Sequence, residues 1–552
     1  MAKNLRVIFL GGVGEIGKNM TALEYDDEII VVDAGMGFPG DDMPGIDVVV
    51  QDTTYLEQNK NKVKAYVITH GHEDHIGGLP YVLATTPATV YGSRLTLALV
   101  ENKLREHPGI KVKAVSVRPR SIVDIGKHFK VEFIHVNHSV AGSFALSITT
   151  PVGIVFHTGD FKVDHTPVDG QPIDLTRIGE IGKKGVMLLL AESTNAEKSG
   201  TSMSETMVGE SLDKLFESNK ERRIFVACFA SSVHRVQQLL DLAEKHKRKV
   251  AFSGRSMINV SDAAIKVGEM KARPDNIIDI TSLGNYADKE LLVVLTGSQG
   301  EPSSALARMA RGEFNKIHLG ANDTVILAAS PIPGNESQVN KVVNNLICRG
   351  TEVVYESLAE VHASGHAYEE ELKLIHTLLH PHFFIPVHGE YKHMKKHIAI
   401  AMKLGMNRRN IIMPDIGDCI ELSINGLKKV GTVPAGTKLI DGLGSGATDS
   451  AVLRDRMILA EEGVCVVGIG FDKQTGSVIS GPDVMTKGLL YNEEMDENIA
   501  GVKDAIMQSV NGLNLSKDNP QDIRATIRKD VQNYFQKEFK RRPVVITMLQ
   551  GS

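Results

Sequence analysis

The chain has 552 residues, room for about three to four domains at roughly 150 residues each. A composition 42% hydrophobic and 23% charged excludes a disordered or collagen-like chain. With 62 basic against 67 acidic residues, a net charge of −5, a bulk-basic nucleic-acid coat is excluded too, and any polyanion site must be a local patch.

The four cysteines (Cys228, Cys348, Cys419, Cys465) have no close pair, which argues against a disulfide framework and a thiolate zinc knuckle. No apolar run approaches the roughly 20 residues of a membrane helix, so no membrane partner is expected. The N-terminal stretch MAKNLRVIFLGG lacks the features of a secretory signal. A reducing, cytoplasmic setting follows as the expectation. Tryptophan is absent, whereas the 20 histidines cluster.

In chain order, residues 5–10 read as a strand, 19–25 as an alternating strand, Asp26-Asp27 as a turn and 28–32 as a buried strand. Between the first two lies Gly12-Val13-Gly14-Glu15-Ile16-Gly17, with Asp33 where a ribose-binding acid would stand. A dinucleotide site needs a helix after that motif. The early turn at 26–27 leaves it no room, so a glycine-rich turn at a sheet edge is expected. Strands follow at 64–69, 131–136, 143–149 and 154–157, with helices at 79–84 and 95–106. A second α/β region has helices at 204–218 and 233–246 and strands at 224–227, 250–252, 291–295 and 324–328. Residues 362–393, rich in histidine, return to the chemistry of the first region, so the middle block reads as an insertion. Residues 433–450, carrying Gly442, Gly444 and Gly446, read as a linker. The tail, 451–552, reads as three strands, two helices (498–510 and 522–539) and a last strand at 544–548.

The strongest signal is His70-Gly71-His72-Glu73-Asp74-His75, directly after a buried strand. Four metal-capable side chains in six residues crowd one tetrahedral ion but serve two neighbours, and imidazole with carboxylate suits zinc or manganese. Further ligands are expected from other strand ends: His138, Asp160 as a bridge, and His388. His135, inside its strand, reads as a packed residue or as one that supports a ligand from behind.

This set of motifs resembles the metallo-β-lactamase superfamily. The inserted block narrows the resemblance to its β-CASP branch. Residues 11–19, 69–78, 157–162, 193–195, 229–235, 296–302, 330–335, 362–366 and 386–391 together resemble the bacterial ribonuclease J family over nearly the whole chain. The resemblance implies an α/β fold: an αββα metallo-β-lactamase sandwich (1–203 and 362–432), an inserted β-CASP domain (204–361) and a small α+β association domain (451–552). It implies one ion held by His70, His72, His138 and Asp160, and another by Asp74, His75, Asp160 and His388. Glu192 takes the acidic position of the β-CASP group, where relatives often carry Asp. His362, Ala363, Ser364, Gly365 and His366 match the segment gripping an RNA phosphate. Gly45, Asp47 and Asp441 match a structural calcium site.

The implied activity is two-metal hydrolysis of single-stranded RNA carrying a 5′-monophosphate, as 5′-to-3′ exonuclease and endonuclease, in mRNA decay and rRNA maturation. Asp74 and Glu192 would handle the water's proton, and His366 would assist the leaving 3′ oxygen. The loops at 296–300 and 330–335 either line an RNA channel or are ordinary glycine turns. Basic residues of the tail, Arg524 to Arg542, read first as a solvated face. A homodimer or homotetramer is expected, with or without a paralogue. The rival readings are a small-substrate metallo-hydrolase, a DNA-processing β-CASP enzyme and a silent scaffold paralogue. The inserted block and the 362–366 run oppose the first. The motifs themselves oppose the second. Retention of all seven ligands opposes the third.

Overall fold

The computed structural model describes residues 3–40, 42–332, 334–442, 450–489, 495–511 and 513–551. The chain divides into two compact units, one of Met1–Gly37 with Val49–Lys438 and one of Phe38–Val48 with Leu439–Ser552. Residues 38–48, within the stretch assigned by sequence to the first domain, thus fold with the C-terminal unit. Residues 443–449, the centre of the expected linker, lie outside the described residues.

In the first unit, an eight-stranded sheet runs in the order Gly426–Thr432, Asp418–Ser423, Leu5–Gly11, Met20–Tyr25, Glu28–Val32, Val63–Val67, Thr89–Gly92, Ala114–Ser116. A six-stranded sheet runs Phe383–Val387, Val186–Glu192, Gly153–His157, Phe144–Thr150, Phe129–His135, Ile122–Ile125. Side chains alternate across a strand, so Leu5, Val7 and Phe9 face the other sheet while Ile8 and Leu10 face helices. The inner faces meet through Leu5, Val7, Phe9, Phe133, Phe144, Leu146 and Leu188. Each such side chain, fully buried, contributes about 1.5–3 kcal/mol. Helices Leu79–Thr85 and Arg94–Arg105 cover one outer face, and Leu175–Lys184, Glu369–Leu379 and Tyr391–Lys403 the other. This is the αββα sandwich.

The inserted block, entered after Glu192 and left before His362, forms a third sheet. Its order is Ile277–Ile278, Lys249–Ser253, Leu291–Leu295, Arg223–Ala227, Asp323–Leu327, Glu352–Val354, with every described pair parallel. Strands buried on both faces carry continuous apolar runs, as in Leu291–Leu295. The loops at 296–300 and 330–335 bond to one another, Gln299 Nε2 to the Ser330 carbonyl at 2.9 Å and the Ile332 amide to Gln299 Oε1 at 2.7 Å. Residue 333 lies outside the described residues.

In the second unit a three-stranded sheet, ordered Val478–Lys487, Val464–Phe471, Val544–Gly551, is covered on one face by helices Met495–Val510 and Pro520–Phe539. The tail opens with a helix, Ser450–Glu462, and two described strands precede the helix pair, which corrects the expected three. Val452, Ile458 and Leu459 of that helix stay exposed. With no buried stripe, its sequence carries little helical periodicity to read.

Candidate metal centre

The strand Val63–Val67 delivers His70 at its end, and the short helix Glu73–Ile76 starts with His72 as N-cap in extended conformation. That bend separates His70 and His72 from Asp74 and His75. The strands Gly153–His157, Val186–Glu192 and Phe383–Val387 are parallel neighbours. Their C-terminal ends bring Asp160, Glu192 and His388 to one edge, where α/β folds place ligands. His138, beyond the end of Phe129–His135, reaches the same edge.

Three overlapping donor sets stand at this edge, two of them those the resemblance implies and the third Asp160, Glu192, His366 and His388. In the first, His72 Nδ1 lies 3.0 Å from both His70 Nε2 and His138 Nε2. Asp160 Oδ2 stands 3.7 and 3.9 Å from those two Nε2 atoms. In the second, His388 Nε2 is 3.1 Å from Asp74 Oδ2, and Asp160 Oδ2 is 3.2 Å from His75 Nε2 and 3.4 Å from His388 Nε2. Donors bonded at about 2.0–2.1 Å around a tetrahedral ion stand about 3.3 Å apart, so both sets fit a divalent ion. Asp160 Oδ2 is common to both, buried and without a hydrogen-bond partner. A buried carboxylate oxygen needs compensating positive charge, which His75 and His388 supply here at 3.2 and 3.4 Å and which a divalent ion would supply in their place.

The electrostatics divide the two sets. Burial, with the neighbouring imidazoles, pushes His70 and His138 well below the usual range. Burial takes His72 down to about 4. These rings are neutral near pH 7, with a lone pair free for an ion. Burial opposes charge on His75 and His388 as well, but Asp160 and Asp74 raise both. Burial would raise Asp74 and Asp160, yet the facing histidines hold both low.

Partners behind the ligands set their orientation. Asp33, at φ +60°, accepts from the Thr69 amide (2.7 Å), the Thr69 hydroxyl (2.8 Å) and His75 Nδ1 (2.7 Å). The same Thr69 Oγ1 accepts from His70 Nδ1 at 3.0 Å. Asp33, positioned in the sequence like a ribose acid, is therefore a buried brace for both ligand sets. Its signal was a lone acid closing an apolar strand. Thr194 Oγ1 lies 2.5 Å from His388 Nδ1; both residues lie in stretches that carry the resemblance, but their pairing is long-range and was not readable from either. His135 donates to the Gln171 carbonyl at 3.0 Å and stays outside the cluster. Gly12–Gly17 is followed by the strand Met20–Tyr25, paired antiparallel with Leu5–Gly11, so the expected turn stands in place of a dinucleotide helix.

Glu192 Oε1 accepts from the Phe161 amide at 2.7 Å and Oε2 from His366 Nδ1 at 2.8 Å. Burial opposes charge on His366, but Glu192 raises it to about 9. The longer acid at 192 spans this gap. Ser364 Oγ accepts from Asn195 Nδ2 at 2.7 Å. His362 falls to about 4 through burial and the Arg235 charge. Ala363 packs into the core, 5% exposed, so it offers only backbone.

Gly45, Asp47 and Asp441 also come together, in the second unit. There Asp47 Oδ2 accepts from the Gly442 amide at 2.7 Å, while Arg456 Nη1 donates to the Gly45 carbonyl at 3.1 Å and Arg456 Nη2 pairs with Asp441. The Gly45 carbonyl and Asp441 face a guanidinium, and a calcium ion there would have to displace Arg456.

Four family models match the chain: "Metallo-beta-lactamase superfamily" over residues 13–184, "Ribonuclease J, beta-CASP domain" over 221–346, "Zn-dependent metallo-hydrolase RNA specificity domain" over 351–414 and "Ribonuclease J C-terminal domain" over 451–551. Ribonuclease J of Synechocystis sp. is 41% identical, covering 100% of this chain and 88% of its own. Ribonuclease J2 of Bacillus subtilis is 38% identical over 99% of this chain and 98% of its own. Ribonuclease J of Thermus thermophilus is 38% identical over 99% and 95%. A solved Enterococcus faecalis protein of unknown function shares the fold at a TM-score of 0.54 and 18% identity, covering 76% of this chain and 100% of that one.

Proposed function

The chain belongs to the ribonuclease J family, and from that premise we propose that it hydrolyses RNA with a pair of divalent ions. It removes nucleotides from a 5′-monophosphorylated single strand in the 5′-to-3′ direction and also cuts internally. The observation that carries the two-ion reading is the unpartnered Asp160 Oδ2 shared by two ligand sets. His70, His72, His138 and Asp160 would hold one ion, and Asp74, His75, Asp160 and His388 the other, with zinc or manganese suiting the donors. When bound, the ions supply Lewis-acid charge to the phosphate and lower the pKa of the attacking water.

The chain's own groups do the rest. Asp74 and Glu192 stand ready to take the water's proton. His366, its Nδ1 proton held by Glu192 at 2.8 Å, assists the leaving 3′ oxygen as general acid. His362, the Ser364 hydroxyl and the Gly365 amide donate to phosphate oxygens. The RNA-specificity match at 351–414 covers this turn, which favours RNA over DNA. Substrates are cytoplasmic transcripts, in mRNA decay and rRNA maturation.

We also propose a homodimer or homotetramer, with or without a paralogue, built on the second unit. Val466, Met485 and Ile546 share one cross-strand row, and Met485, Ile546 and Met548 are 64%, 49% and 59% exposed. Apolar side chains so grouped mark an association face.

The test uses a 5′-phosphorylated RNA labelled at its 3′ end, with and without chelator. Mononucleotide release that chelator stops and zinc or manganese restores supports the reading. Release unaffected by chelator would sink it. Matched DNA and a chromogenic β-lactam are the control arms, and preferential turnover of either transfers the assignment to that rival.

A further inference from the structure

The glycine-rich loop after the first strand holds both turns that carry ligands of the second set. The Gly12 carbonyl accepts from the His388 amide at 2.8 Å, and Glu15 bridges to Gly389. At the loop's end, the Asn19 amide donates to the Asp74 carbonyl at 3.0 Å, and the Asn19 carbonyl accepts from Gly35 at 3.0 Å.

The Asn19 side chain, in a residue 8% exposed, points the same way. Its Nδ2 donates to the Asp74 carbonyl at 3.1 Å and reaches Asp74 Oδ2 at 3.4 Å. It stands 3.1 Å from His75 Nε2. A Cβ on Gly12, at φ +77°, would overlap Asn19 Oδ1. Glycine there is what lets the amide turn its nitrogen to the ligands. Its side-chain contacts go to Asp74 and His75, which belong to the second set and not to the first.

We propose that Asn19 is the positioning residue of the second ion, holding Asp74 in its ligating pose and so setting that ion's affinity independently of the first. The proposal rests on the two-ion reading. A neutral donor suits the task, because it orients the Asp74 carboxylate without neutralising the charge the ion needs.

The test is metal content per chain of the full-length protein, dialysed against buffered free zinc over several decades, for wild type, Asn19→Ala and Asn19→Ser. Wild type should take two ions. Asn19→Ala should keep the first at the wild-type concentration and need about 10–100-fold more zinc for the second. Its KM for RNA should stay unchanged, with kcat recovering at excess zinc. Asn19→Ser, which keeps a short donor, should fall between and decides the matter if the alanine variant fails to fold. Wild-type loading of both ions in the variants, or parallel loss of both, overturns the role of Asn19 alone. A wild-type chain that never exceeds one ion overturns the two-ion reading, and the proposal with it.

Discussion

The Nδ1–H of His138 donates to the carbonyl oxygen of Gly365 across 2.6 Å, so a ligand of the first set is tied to the turn proposed to grip the substrate phosphate. The contact is close from both sides. A Cβ on Gly365 would lie 2.8 Å from His138 Nδ1 and Cε1. Gly365→Ala should therefore push the ring off its ion, lowering kcat about 100-fold or more while the chain stays folded. Circular dichroism with single-turnover RNA cleavage checks this, and unimpaired cleavage would show that the ring tolerates the shift.

His72 Nδ1 meets both other imidazoles of its set. His72→Ala should abolish hydrolysis and leave the protein soluble. Chelation of the wild type should reproduce that loss reversibly. Activity retained in the variant would remove the metal mechanism.

His366 and Glu192 form one hydrogen-bonded pair beside the ligands. His366→Ala should lower turnover by about 10²–10⁴-fold with RNA affinity changed far less. Filter binding beside kcat separates the two, and equal losses would reassign His366 to binding. Glu192→Gln, which keeps Oε1 for the Phe161 amide, should lose part of the same turnover and none of the fold.

Thr194 Oγ1 stands 2.5 Å from the far nitrogen of His388. Thr194→Val, nearly isosteric, should weaken ion binding about 10–100-fold without shifting thermal stability by more than a few degrees. Zinc titration followed by metal analysis measures it, and wild-type affinity would show that His388 is oriented by packing alone.

In the second unit, Ile546→Asp with Met548→Asp places charge on the exposed strand face. The mass in solution should fall to that of a single chain, with metal content unchanged. A wild-type mass would move the association surface elsewhere.

Much of the site was legible locally. A histidine or aspartate at the end of a buried strand is a chemical statement, and His70, His72, His138, Asp160 and His388 each carried it. Continuous apolar runs likewise marked several sandwich strands, because a strand covered by the other sheet on one face and by helices on the other is buried on both. The helix at Ser450–Glu462 escaped because its apolar residues are not buried on one stripe.

What the sequence determined by itself is the inventory: seven metal-capable side chains, a β-CASP insertion and the family they resemble. Only the tertiary structure decided that Asp33 and Thr194 stand behind His75 and His388, that Asn19 faces Asp74, and that Arg456 lies against Gly45 and Asp441. The reason is physical. Ligand identity is a property of one residue, whereas a brace exists only when two strand ends, 194 residues apart for Thr194 and His388, are laid side by side by their parallel pairing.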